Sequence, residues 1–520
     1  MAQLQDVNTT DILDAIRLGC RTMGRLFNAD DNDIPFFDIQ ALPNPRMSFT
    51  WAETEAHVPG RFLNALLAAE DAAGVAVEEA AVEKLTRAAF FAFSGPIPLP
   101  LNRQVQSGPL ANFLPTHIRE GFHALHALVR FRASTRAREL AEASIATIYR
   151  LWDPEDGWDY SRIRSKYRLS IHEPINFLNG LGRAIGPLVK YFRATGYGPA
   201  LDLAVMLKER AVGEFFPDTG AFQAAHGAHC HSTTSTLSSL AQLADLTRDA
   251  NLLNRVKAFY DNGLWEIRDQ IGWSIETIRA GPNYGRGEAN ITGDLLETAL
   301  ILGRWGDVRY YHDAERILRC HLLPSQLRDV SFIPAPANPE NEDGKRDVAQ
   351  RIAGSFGLPA PYGHYPIGVE VVKFNTDIVG GVVGSLCEAH REAVRHDAAG
   401  HWVNLLFDRD TPGVSVRSPY TSPTLRIVMH RPGPLFVRLP PWVAGGAVGV
   451  DGAAEPRRTG DYLLFAQPPV GRPIDITFPL SEEELTMKNP AGAIRVRLRG
   501  DAVAAMDSHG ADLTFFDPID

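Results

Sequence analysis

The sequence predicts a mainly α protein: an (α/α)6 toroid, or barrel, of helices followed by an antiparallel β-sandwich. From about Asp11 to about Arg395, apolar residues recur at helical spacing, broken by Gly, Pro and Asp-rich turns, with no β-α-β alternation. After about Asp397 the pattern changes to period two. No fixed-period repeat is visible, which turns the paired helices away from an α-solenoid and toward a closed ring.

The helical stretches include "RFLNALLAAEDAAG", "EGFHALHALVRFRA", "INFLNGLGRAIGPLVKYFRATG", "LSSLAQLADLTRDANLLNRVKAFYDNGL" and "DLLETALILGRWGDVRYYHDAERILRCHLL". They amount to about twelve helices, mostly in pairs with short turns. The strands read "HWVNLLF", "VSVRS", "LRIVMH", "LFVRLPPWV", "AVGVDG", "YLLFAQ" and "IDITFPL", separated by Pro, Gly and Asp turns. The expected domains are therefore a helical, catalytic-like barrel over 1–396 and a sandwich over 397–485. A C-terminal tail, 486–520, includes the alternating "AIRVRLRGDAVAAM", read as one more strand packing on the sandwich.

The composition limits the function classes. Among 520 residues, 45% are hydrophobic and 22% charged, ordinary values for a soluble globular protein. A formal charge of −10 offers no basic stripe for nucleic acid. No window approaches the ~20 apolar residues of a membrane span, and "MAQLQDVNTTDILDAIRLG" lacks a signal-peptide pattern. The four cysteines, Cys20, Cys230, Cys320 and Cys387, stand far apart without a C-x-x-C pair, which fits a reducing compartment. The expectation is a cytoplasmic enzyme without nucleic-acid or membrane partners; self-association into a homo-oligomer is left open.

Three loops concentrate polar and aromatic residues: 153–167, 272–290 and 331–370. Long loops rich in Trp, Tyr, Asp and Glu suit a sugar, whose ring faces stack on aromatics while its hydroxyls need donors and acceptors. A mobile lid is the alternative for the last of them. "GAHCHSTTST", Gly227 to Thr236, holds two histidines ahead of a hydroxyl run. On an extended segment His229 and His231 point to one side, but two ligands fall short of a zinc site, and the hydroxyls can cap a helix starting near Leu237.

Three stretches together resemble glycoside hydrolase family 127, the β-L-arabinofuranosidases. "GDVRYYHDAERILRCHLL" resembles that family's G-D-x-x-Y-x-x-x-x-E-R helix, and "HCHSTTSTLSSLAQLADLTRD" its helix beginning H-A-N-T. "LFVRLPPWV", "VGVDG", "DYLLF" and "IDITFPL" resemble its C-terminal sandwich. The resemblance implies an (α/α)6 barrel followed by a sandwich, with a sugar pocket at the barrel mouth. It also implies a cysteine nucleophile held on zinc by a Glu-x-Cys motif and a later Cys pair. Here the first is "GEAN", Glu288 to Asn290, and the second falls near "KFNTDIVGG", Lys373 to Gly381, without a thiol at either place. Cys387, further along, reads as a buried apolar residue. The zinc-thiolate mechanism therefore does not carry over, and neither metal nor cofactor is expected.

The chemistry then falls to oxygen and nitrogen groups. Glycoside hydrolysis needs one protonated carboxyl and one carboxylate. By resemblance Glu276 in "GWSIET" sits near the family's acid/base glutamate, and Glu288 at its metal-binding glutamate. Asp377 falls where the family keeps thiol ligands; the plain alternative for it is a helix cap. The catalytic candidates are Glu276, Glu288 and Asp377. Asn290, Asp294 and Glu297 share one helix face, with a solvated face the simpler reading for Glu297. His229, by resemblance, and His231, Asn290, His364 in "YGHYPIG" and Trp158 in "DGWDY" are the candidates for holding substrate. No P-loop, other phosphate loop or G-x-S-x-G elbow is present. The reading is a glycosidase acting on a short carbohydrate without zinc. A toroid lyase using His229 or His231 with a Tyr, and a non-catalytic sugar binder, are the alternatives.

Overall fold

In a computed structural model of the chain, all residues are described except 1–2, 172–175, 279–285, 362, 366–370, 445–446, 490–491, 508–511 and 520. Parts of the 272–290 loop and of "YGHYPIG" thus lie outside the described residues.

Six helices form a closed inner ring: Val58–Ala73, Ile118–Arg132, Ile185–Thr195, Cys230–Thr247, Ala289–Arg304 and Thr376–Ala393. Each packs on the next, and the last packs back on the first. Six more flank them outside: Ile12–Met23, Glu79–Ala92, Thr135–Leu151, Gly198–Glu214, Ala250–Asp261 and Arg309–Ile317. The outer helices are amphipathic, whereas the inner ones are buried nearly all round and use small residues where they meet. At Gly60 a Cβ would fall 1.9 Å from the Glu120 carbonyl, so only glycine lets these two inner helices approach so closely.

Ser and Thr dominate the start of Cys230–Thr247, which begins seven residues before the expected Leu237. They do not cap it: Thr236 and Ser239 donate their hydroxyls to the carbonyls of Ser232 and Ser235, one turn back. This back-bonding satisfies hydroxyls inside a fully buried helix. His229 is its N-cap residue and His231 lies in its first turn, so the pair is not on an extended segment.

The sandwich starts at Val394, straight out of the last inner helix. Two five-stranded sheets face each other across a core that includes Val403, Leu435, Val437 and Phe465 from one and Val416, Ile427, Ile474 and Ile476 from the other. One pair departs from the expected antiparallel pattern. Gly400–Val403 and Leu435–Arg438 run parallel, because the chain visits the second sheet between them and re-enters in the same direction.

The tail also departs from expectation. Glu482–Asn489, Gly492–Arg499 and Ala502–Met506 form a separate antiparallel sheet. Its apolar face, Met487, Ile494, Val496 and Leu498, joins the helical core, not that of the sandwich. Glu315 ties the domains together: fully buried, it accepts from Arg319 Nε at 3.0 Å, from the Leu406 backbone N–H at 3.1 Å and from Arg438 of the sandwich.

Candidate functional site

In a ring of alternating inner and outer helices, all inner helices start at the same end. Here those starts are polar: His57, His117, His229, Glu288 and Asn375 are N-cap residues of five inner helices. The sixth, Ile185–Thr195, follows a short turn carrying Arg183. All six residues line one cavity of about 270 Å³, together with Glu53, Asn179, His231, Glu276 and Asp377. Free N–H groups and positive dipole ends make this end of the barrel receptive to carboxylates.

The side chains form a continuous hydrogen-bonded chain. His231 Nδ1 lies 3.1 Å from Glu288. The Asn290 amide donates to Glu288 at 3.0 Å and to Asp377 at 3.3 Å. His57 Nε2 meets Asp377 at 3.2 Å, and its Nδ1 meets His117 Nδ1 at 3.1 Å. His117 donates through Nε2 to the Ala52 carbonyl, so its Nδ1 accepts from His57 Nδ1. A proton consequently lies between His57 Nε2 and Asp377.

These contacts set the charges. Burial alone would push Glu288 up, but His231, His229 and the Asn290 amide outweigh it and hold the carboxyl far below the usual range. Burial keeps His231 neutral by lowering it to about 3, so it serves Glu288 as an N–H donor. Burial would raise Asp377 as well, and the His57 hydrogen bond and charge, then Arg61, bring it below its ordinary value. Glu53 goes the other way: burial, then the nearby carboxylates of Asp377 and Asp38, push it up to about 8. One cavity thus holds a protonated carboxyl beside ionised ones. Below it, fully buried Glu120 receives Arg61, Arg119 and Arg183 at 3.3, 3.0 and 3.6 Å and closes the barrel axis.

His229 is oriented by a second short chain. Ser232 donates its hydroxyl to Asn179, hence accepts from His229 Nδ1 at 2.7 Å, leaving Nε2 with its lone pair. Glu276 reaches the cavity because its loop pairs with the segment before His231, with Cys230 N–H donating to the Glu276 carbonyl. Its carboxylate is engaged by Arg286 Nε at 3.0 Å.

The structure thus gathers His229, His231, Glu276, Glu288 and Asp377 in one cavity, with Asn290 joining two of them. The other two candidates lie elsewhere. His364 is buried against Phe374 and Phe515, with ring centroids 5.4 and 4.9 Å away, and Trp158 packs edge-on to Phe113 at 5.1 Å. Both pack against aromatic residues of the helical core. Asp294 and Glu297 face the barrel interior, bonded to Thr234 and to Ser385, so the solvated reading of Glu297 does not hold. Sequence reasoning missed Glu53, His57, His117, Arg183, Asn179 and Asn375. A signal existed for two of them: "ETEAHVPG" sets Glu53 and His57 one turn apart just before a proline at a helix start.

The zinc-thiolate centre implied by the resemblance does not fit these residues. All four cysteines are free and buried, and burial pushes even Cys230, beside the cavity, up to about 12. The Asn290 amide spans the space between Glu288 and Asp377. His229, His231 and Glu288 bring three donor atoms within 4.8 Å of one another. Yet guanidinium nitrogens of Arg183 and Arg61 lie 3.5 Å from the two ring nitrogens of His231, and such cations oppose a dication there.

No family model and no curated protein matches the sequence. Solved structures do match. A β-arabinofuranosidase of glycoside hydrolase family 127 superposes with a TM-score of 0.56 at 14% identity, covering 94% of this chain and 79% of its own. A β-L-arabinofuranosidase of the same family from Geobacillus stearothermophilus T6 gives 0.56 at 13%, covering 96% and 80%. The fold is that of glycoside hydrolase family 127. A further glycoside hydrolase gives 0.53 at 12% identity, covering 92% of this chain and 84% of its own. At these identities the family 127 likeness concerns the fold. No helix among the described residues is long and apolar enough to cross a membrane.

Proposed function

We propose that the chain is a divergent family 127-like glycosidase that removes one terminal sugar from a short glycan without zinc. The observation that carries this is the set of carboxyl groups in one cavity at the barrel mouth: Glu53 lines it near enough to Asp377 to feel its charge, and Asp377 and Glu288 are both hydrogen-bonded as carboxylates. A volume of about 270 Å³ lies just under the range of roughly 300–1,000 Å³ for sites holding drug-sized ligands, so the cavity suits a single ring. Glu53 donates the proton to the leaving oxygen. Asp377 acts at the anomeric carbon, directly or through water, with Glu288 as the further carboxylate. Glu276, tied to Arg286, passes from the acid's part to that of a hydroxyl acceptor. His229, Asn179 and Arg183 supply the remaining polar contacts to the sugar. The fold likeness favours a furanoside of the arabinose type.

The test is a panel of aryl glycosides and plant-wall oligosaccharides, with the product anomer followed by NMR. Release of a reducing sugar by the wild type, lost in Glu53→Gln and Asp377→Asn, is expected. An ultraviolet-absorbing product would mean elimination instead. That reading is the weaker one, since no tyrosine stands among the described residues lining the cavity to serve as its acid.

A further inference from the structure

Two ionised carboxylates buried side by side repel, and a protein holds them in one of three ways: a shared proton, a bound cation, or donors aimed at both. At Glu288 and Asp377 the third arrangement is on view. The Asn290 amide nitrogen has two hydrogens and two carboxylates in reach, at 3.0 and 3.3 Å. Turning the amide over would put its oxygen between two carboxylates, so this orientation is the one the surroundings enforce. On the far side the Asn290 oxygen is accommodated by a glycine. A Cβ at Gly381 would stand 2.0 Å from that oxygen and 2.8 Å from Arg61 Nη1. Each carboxylate also has a histidine behind it, His231 for Glu288 and His57 for Asp377.

We propose that Asn290 is the positioning residue of this site, its single amide bridging Glu288 and Asp377 in the way a cation otherwise would. The groups facing the pair fit that role. His57 and Arg61 come from one inner helix, His229 and His231 from another, and Arg183 from the short turn that leads into a third; Glu53 and Glu120 are the neighbouring acids. Arg61, Arg183 and the proton held by His57 therefore place positive charge around the bridge without occupying it, while His229 and His231 stay neutral. The assignment is independent of the sugar and of whether the chain cleaves it.

The test uses the full chain, wild type and Asn290→Asp, dialysed against zinc chloride and then against metal-free buffer before elemental analysis. Wild type should retain no stoichiometric zinc. Asn290→Asp exchanges the bridging donors for a third carboxylate, and should retain one zinc per chain with an unchanged circular dichroism spectrum. One zinc retained by wild type and lost in Glu288→Gln overturns the proposal, as does a folded Asn290→Asp that takes up none. Should that variant not fold, carboxyl ¹³C spectra of the wild type decide, with Glu288 and Asp377 identified through Glu288→Gln and Asp377→Asn. Two ionised groups at neutral pH are expected, and a proton shared between them refutes the bridge.

Discussion

Replacing Glu53 by Gln keeps the shape of the side chain and removes its capacity to ionise. The wild-type carboxyl stands at about 8 in place of its ordinary 4.5, because burial and the carboxylates of Asp377 and Asp38 disfavour the anion. Between these values the folded state binds a proton that the unfolded chain has released. Stability therefore falls as pH rises through that window and levels off above about 8. Complete burial would make the loss on the order of 5 kcal/mol, and because Glu53 keeps some contact with solvent, roughly 2 to 5 kcal/mol is the working figure. Glu53→Gln suffers no such loss. Measured as thermal midpoints at pH 5 and pH 9, the variant should gain on the wild type by this amount at the alkaline end, since every other titrating group is common to both.

Activity gives the second readout. Aryl glycosides with poor leaving groups should react about 10² to 10⁴-fold more slowly in Glu53→Gln, the usual loss of a general acid. The wild-type alkaline limb near pH 8 should vanish with the residue, while the acid limb, set by Asp377, remains. An equal stability gap at pH 5 and pH 9, together with an unchanged alkaline limb, would refute the assignment of Glu53 as the buried acid.

Chelators should leave activity intact, because the donor set does not suit a zinc-thiolate centre; parallel loss of metal and activity after dialysis against a chelator would contradict this. His57→Gln removes the proton held against Asp377, so the acid limb of the pH profile should move to higher pH as the carboxyl regains its ordinary value, whereas an unmoved limb would reduce His57 to packing. Glu315→Ala leaves Arg319 and Arg438 buried without their carboxylate and should cost about 3 to 5 kcal/mol, read as a lowered thermal midpoint. Deleting 397–520 strips Met487, Ile494, Val496 and Leu498 from the helical core and should yield insoluble protein; a soluble, active barrel would count against that packing.

What the sequence disclosed depended on whether the determining contacts were local. Helical spacing is local, so the paired helices of the ring and the change to strands after about residue 397 were readable from periodicity, within a few residues of the first strand at Val394. The tail was harder: the alternation of "AIRVRLRG" marks a strand with one apolar face but does not say which core receives it, and the helical domain took it. The site shows the same division. His229, Glu288 and Asp377 were found through the resemblance to family 127 and His231 through its H-x-H spacing, all in short local motifs that the structure places at helix starts. Their roles were not local. Glu276 and Glu53 are both half-buried glutamates lining one cavity, and no feature of "GWSIET" or "WAETEAH" tells them apart. Arg286, folded back across a loop, engages the first, whereas Asp377, brought round by ring closure, works against the second. One chain therefore carries an ion-paired glutamate and a protonated one in the same cavity, and the difference arises from burial and from the charge each meets: a loop arginine for Glu276, the carboxylates of Asp377 and Asp38 for Glu53.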